Sequence, residues 1–188
     1  GARRVYLIET PKAAALGCGL DITSPHGVFI ADLGSGTADI GVLSLGGVTA
    51  SKSIKKAGSA MDEEIVKYIR KQYGLIIGTN MAEACKKAVG CVYGSSGSET
   101  FRVKGRDAVS GMPRYVDVTG DEMIDSIREI AETIAAAIRD VLEEAPPELA
   151  GDIYTDGLIL TGGLAKLKGF APLISSVTKL RVRVHKYA

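Results

Sequence analysis

At 188 residues the chain is long enough to bury a core as one large domain or two small ones. A net charge of +1 points to neither nucleic acid nor an anionic membrane as a main partner, and no apolar run approaches the ~20 residues that span a bilayer. Cys18, Cys85 and Cys91 form no CxxC pair and read as reduced thiols of a cytosolic protein, while two distant histidines, His26 and His185, offer neither a zinc site nor a nucleophile–histidine set.

The chain opens on Gly1-Ala2 without Met and runs straight into Arg3-Arg4-Val5-Tyr6-Leu7-Ile8. That start reads as a fragment or processed chain, with Gly1 and Ala2 as vector residues and residues 3–9 as a short strand. Pro11 suits the first position of a helix, which Ala13-Ala14-Ala15-Leu16 continues and Gly17 or Gly19 ends. A loop over 20–27 leads to three strands, at about 28–33, 37–45 and 48–55, the last two joined by the hairpin signal Gly46-Gly47. A helix begins near Ser59 with Met61, Ile65, Tyr68 and Ile69 on its apolar face, and Gly74 closes it. The next spans about 80–89, with Asn80 as cap and Glu83 in a capping-box relation.

Residues 99–104 and 114–118 read as strands. Thr119 with Glu122 makes a second capping box at the start of the longest helix, about 121–143. Its stripe of Met123, Ile127, Ile130, Ile134, Ile138 and Val141 is a core face. Pro146-Pro147 breaks that helix; a short helix at 147–154, a buried strand at 157–160, a turn at Thr161-Gly162-Gly163, a helix at 164–176 and a last strand from Leu180 to Val184 complete a mixed α/β order.

The most informative segment is Asp32-Leu33-Gly34-Ser35-Gly36-Thr37-Ala38-Asp39, set between the apolar runs 28–31 and 40–43. A tight glycine turn between strands presents backbone N–H groups, a hydroxyl and two carboxylates at one point, which suits nucleotide phosphates and a metal ion. A dinucleotide-binding turn needs a third glycine and a following helix, and 37–45 has no helical period. An ordinary hairpin turn remains open on the residues alone. Both glycine turns follow buried strands, and ligands of open α/β sheets bind at such strand ends.

Several segments in order carry a resemblance. Residues 32–37 resemble the second phosphate loop of the actin, sugar-kinase and heat-shock chaperone superfamily, Leu160-Thr161-Gly162-Gly163 its adenosine motif, and Glu83-Ala84-Cys85-Lys86 the Glu-x-x-Lys of bacterial members. Ile8-Glu9-Thr10-Pro11, Arg102-Val103-Lys104-Gly105-Arg106, Gly111-Met112-Pro113-Arg114 and Pro146-Pro147-Glu148-Leu149-Ala150 narrow it to the MreB/Mbl-type bacterial actin homologues, over nearly the whole chain.

The resemblance implies the second lobe of an actin-like (ribonuclease-H-like) ATPase fold, a mixed sheet flanked by helices with a small α+β insertion. It divides the chain into 1–27 (end of the first lobe), 28–57 with 119–188 (nucleotide-binding subdomain) and 58–118 (inserted subdomain). It implies ATP and Mg²⁺ as cofactors, self-association into filaments, and a cytoplasmic, inner-membrane-associated cell-shape protein with cell-wall-synthesis and membrane-associated partners.

On individual residues, the resemblance places Asp32 toward the metal through water. Gly34, Ser35, Gly36 and Thr37 would lie along the phosphates, Asp39 would orient water, and Glu83 would meet the ribose with Lys86 beside the adenine. Gly58, Gly162 and Gly163 would let the backbone approach the nucleoside. On the residues alone, Asp39 also reads as a turn-capping aspartate, Glu83 and Lys86 as an exposed helix pair, Gly162-Gly163 as a plain turn and Asp62 as a helix-dipole partner.

Thr10 stands where the family carries its catalytic Glu, a departure expected to slow hydrolysis on the scale of lost general-base help, about 10²–10⁴-fold. Ser59 and Ala60 depart from an acidic and a bulkier family residue. Without the first phosphate loop the chain alone is expected to bind ATP weakly and not to hydrolyse it measurably. The alternatives are a chaperone-like ATPase or kinase relative and a non-hydrolysing binding module with a decayed site.

Overall fold

A computed structural model describes residues 3–95, 97–186 and 188; the vector-residue reading of Gly1 and Ala2 lies outside them. Helix α1 (Thr10–Gly17) starts at the predicted proline. Strands β1 (Val28–Leu33), β2 (Ala38–Ser44) and β3 (Gly47–Ile54) form an antiparallel meander. Leu45 and Gly46 both have positive φ in the connection between β2 and β3, the two-residue turn geometry whose twist matches paired strands.

Helix α2 (Gly58–Tyr73), strand β4 (Leu75–Ile76), helix α3 (Thr79–Val89) and strands β5 (Thr100–Asp107) and β6 (Pro113–Thr119) follow. The long α4 (Gly120–Glu144), α5 (Pro147–Asp156), β7 (Leu158–Thr161), α6 (Phe170–Thr178) and β8 (Val182–Val184) complete the chain. The main sheet has the order β3-β2-β1-β7-β8, with β7 parallel to both β1 and β8. A smaller antiparallel sheet, β4-β5-β6, lies in the insertion.

β1 reads as an unbroken apolar run because both its faces are covered. Ile30 joins Ala15, Ile22 and Leu43 on the α1 side, whereas Phe29, Ala31 and Leu33 join the larger core with Met123, Ile127, Ile134 and Ile138 of α4. The loop before β1 is tied to α5. His26 Nε2 lies 2.6 Å from Asp156 Oδ2, its Nδ1 lies 3.2 Å from Asp152 Oδ1, and Gly27 N–H donates to Asp152 Oδ2 at 2.8 Å.

Four local expectations are corrected. Residues 3–9 form no strand: they pair with no other described segment, and Leu7 is 99 % exposed, so the backbone there has no ladder to join. Strand β4 was not anticipated, being only two residues long. The capping box at Asn80 is absent, because Gly78 is the N-cap of α3 and the Glu83 carboxylate is taken by Lys87 Nζ at 2.8 Å. The single helix expected over 164–176 is instead a 3₁₀ turn (Gly163–Lys166) followed by α6. The break lets the segment after α3 pass: Cys91 bridges Lys168, and Val92 N–H donates to Lys168 O at 3.0 Å. Gly169, at φ 83°, lies where a Cβ would come within 2.5 Å of the Tyr93 carbonyl oxygen.

Candidate functional site

The first glycine turn is closed by Gly34 N–H donating to Thr37 O at 2.9 Å. It leaves Ser35, Gly36 and Thr37 exposed. Thr37 Oγ1 donates to Asp39 Oδ2 at 2.7 Å, so the hydroxyl is engaged locally and Asp39 does serve the turn. Asp39 pairs in register with Asp32 across β1 and β2. Burial first, and the neighbouring Asp39 second, push the Asp32 carboxyl above the ordinary aspartate range.

The second turn leaves β7 beside the first. Asp32 and Thr161 are partners in the parallel β1–β7 pairing, so Gly162 follows the sheet edge where Leu33 leads to Gly34. Contact is close enough that a Cβ on Gly162 would lie 2.4 Å from the Leu33 carbonyl oxygen and 2.6 Å from Asp32 Oδ1. With φ at 83° as well, only glycine fits.

The insertion supplies the third wall. Gly58 N–H donates to Gly34 O at 3.3 Å and Ser59 N–H to Ser35 O at 2.7 Å, joining the start of α2 to the first turn. Lys86 of α3 is buried, with Nζ 2.8 Å from Gly58 O and 2.8 Å from Asp62 Oδ1. The Asp62 contact is a close ion pair whose angles fall short of a hydrogen bond. Burial, the leading influence, pushes the Asp62 carboxyl up against the lowering effect of Lys86.

These walls enclose a cleft of about 220 Å³ lined by Gly34, Ser35, Gly58, Glu83, Lys86 and Gly163 of the expected set. Asp32, Gly36, Thr37, Asp39 and Gly162 belong to the two turns but do not line it. Thr10, exposed in the first turn of α1, is outside it too. Sequence reasoning missed Lys166 and Lys168 as lining residues, although their position just past the second glycine turn was a usable signal.

Among the described residues no three His, Cys, Asp or Glu side chains converge as a metal cage. Asp32 and Asp39, paired across β1 and β2 beside the first glycine turn, are carboxylates of the kind that, with water and phosphate oxygens, suit Mg²⁺.

Over residues 1–188 the sequence matches the family described as MreB/Mbl protein. The chain belongs to the MreB/Mbl family. It is 43 % identical over 184 residues to the cell shape-determining protein Mbl of Bacillus cereus, covering 98 % of this chain and 55 % of that protein. To the cell shape-determining protein MreB of Escherichia coli K12 it is 39 % identical over 184 residues, 98 % of this chain and 53 % of that one. The chain thus spans about half the length of the curated relatives it matches.

The crystal structure of MreB 5 of Spiroplasma citri bound to AMPPNP superposes with a TM-score of 0.90 at 35 % identity, covering 98 % of this chain and 56 % of that one. Its ADP-bound form gives 0.92 over 99 % and 56 %, again at 35 % identity. A chain of the MamK double helical filament gives 0.73 at 23 % identity over 93 % and 54 %, a likeness of fold. This MreB/Mbl lobe therefore has the actin-like α/β architecture its motifs implied, a mixed sheet flanked by helices. None of its described helices is long and apolar enough to cross a membrane.

Proposed function

We propose that the cleft holds ATP with Mg²⁺ and that the chain is the nucleotide-binding lobe of an actin-like, filament-forming cell-shape protein. One observation carries this reading: the parallel pairing of Asp32 with Thr161 sets the two glycine turns side by side at the C-terminal ends of two neighbouring interior strands. Gly34, Ser35 and Gly36 present a backbone turn to the phosphates, and Gly58 and Gly163 admit the nucleoside. Glu83 is on the α3 wall beside the ribose. Asp32 would hold the metal through water and Asp39 would orient water; when bound, Mg²⁺ neutralises phosphate charge. The AMPPNP- and ADP-bound forms of Spiroplasma citri MreB 5 support nucleotide binding.

For the full-length protein, the reading extends to head-to-tail self-association, a cytoplasmic location at the inner membrane, and membrane-associated and cell-wall-synthesis partners. The names of the Mbl and MreB relatives, cell shape-determining proteins, support that extension.

Titration of the chain with a fluorescent ATP analogue in Mg²⁺ tests the site. Saturable binding that Gly162→Val weakens by at least about tenfold, a 1.4 kcal/mol effect, is expected. Equal fluorescence change with both proteins, or none with either, overturns it.

A further inference from the structure

Lys86 was expected at the adenine, yet its ammonium is used inside the protein. It reaches from α3 to the Gly58 carbonyl oxygen and to Asp62 of α2, both at 2.8 Å, with only 9 % of its side chain exposed and 11 % of that of Asp62. Gly58 is the point where three elements meet. Its N–H donates to Gly34 O, its neighbour Ser59 donates to Ser35 O, and a Cβ there would lie 3.2 Å from Ser35 Cα and 3.4 Å from Lys86 Nζ. A cation on the Gly58 carbonyl therefore bears on the peptide units that hold the first glycine turn.

We propose that the Asp62–Lys86 pair is a positioning strut that fixes the Gly34–Ser35 turn against the insertion. Lys86 pulls the Gly58 carbonyl toward α3. That orients the adjoining N–H groups of Gly58 and Ser59 toward Gly34 O and Ser35 O. Asp62 holds the ammonium at that point. Placement of α3 is in this way transmitted through one side chain to the turn. The inference deepens the nucleotide reading, and its structural half stands whether or not the cleft takes ATP.

The test is amide hydrogen exchange on the nucleotide-free chain, read at Gly58 and Ser59 against reference amides in the middle of α4. In Lys86→Met, exchange at the two amides is expected to quicken at least about tenfold, the scale of one lost hydrogen bond to a charged group, while the α4 amides keep their rates. Lys86→Arg, which retains the cation, restores part of the protection. Asp62→Asn, a milder change that keeps the shape, gives a smaller effect in the same direction. In the Asp62→Asn/Lys86→Met double variant the loss is no greater than for Lys86→Met alone, because the two act as a unit.

Unchanged protection of Gly58 and Ser59 in Lys86→Met and Asp62→Asn overturns the strut, as does equal acceleration of the α4 amides in Asp62→Asn. Titration with the fluorescent ATP analogue separates the two readings. Lost affinity with intact Gly58 and Ser59 protection makes Lys86 a ligand contact and overturns the strut. Absent binding by the unmodified chain, with the exchange result as expected, overturns the nucleotide reading alone.

Discussion

Asp32 and Asp39 face one another in register across two strands, and burial and then that like charge hold the Asp32 carboxyl above its ordinary range. A carboxyl raised by folding costs stability once it ionises. The penalty is absent below the unfolded value of about 3.9 and grows as pH rises through the folded value. Asp32→Asn is therefore expected to raise the melting temperature at neutral pH without nucleotide. The gain is about 1 kcal/mol or less once solvent screening is counted, or about 2–4 °C. It disappears in acid, and it reverses when Mg²⁺ and ADP stabilise only the aspartate form. Melting curves across pH, with and without the ligands, check all three. At this scale the sequence was partly legible. The residues alone placed Gly162 in a turn, and the family resemblance implied that the backbone comes close there. The internal partners of Lys86 were not legible, because Asp62 and Gly58 are more than twenty positions away and only the packing of α3 on α2 unites them.

Thr119 and Glu122 show an element whose start was readable from four letters. The Glu122 carboxylate accepts from Thr119 N–H at the head of α4, and from the hydroxyls of Tyr68 at 3.3 Å and of Tyr73, both on α2. Burial pushes Glu122 up, but these donors outweigh it and hold the group below the ordinary glutamate range. Its contribution is thus present at neutral pH and fades as pH falls through the lowered value. Glu122→Ala removes a helix cap and strands two tyrosine hydroxyls, so a loss of about 2 kcal/mol in urea unfolding is expected, shrinking in acid. Strand limits were legible where apolar runs abut glycine turns, as β1 was. The helix expected over 164–176 failed because its interruption depends on the chain after α3 crossing at Lys168, a contact about eighty residues distant in sequence with no local trace.

For the whole molecule, the mixed α/β order of elements followed from the apolar pattern and the flanking of the sheet by helices from the family resemblance, while the fate of residues 3–9 followed from neither. Alternation and β-formers describe a strand only when another strand lies alongside, and local composition is silent on that. Val5, Tyr6 and Leu7 are 79 %, 80 % and 99 % exposed, ahead of a helix that packs on β1 and β2. An apolar ribbon with free backbone donors and acceptors is adhesive. Without nucleotide the chain is expected to elute as a concentration-dependent mixture in size-exclusion chromatography with light scattering, and Leu7→Lys to return it to a monomer. A monomer at every concentration before the change would refute this. Sheathing that ribbon is expected to leave each copy without a landing strip for a passing sheet edge.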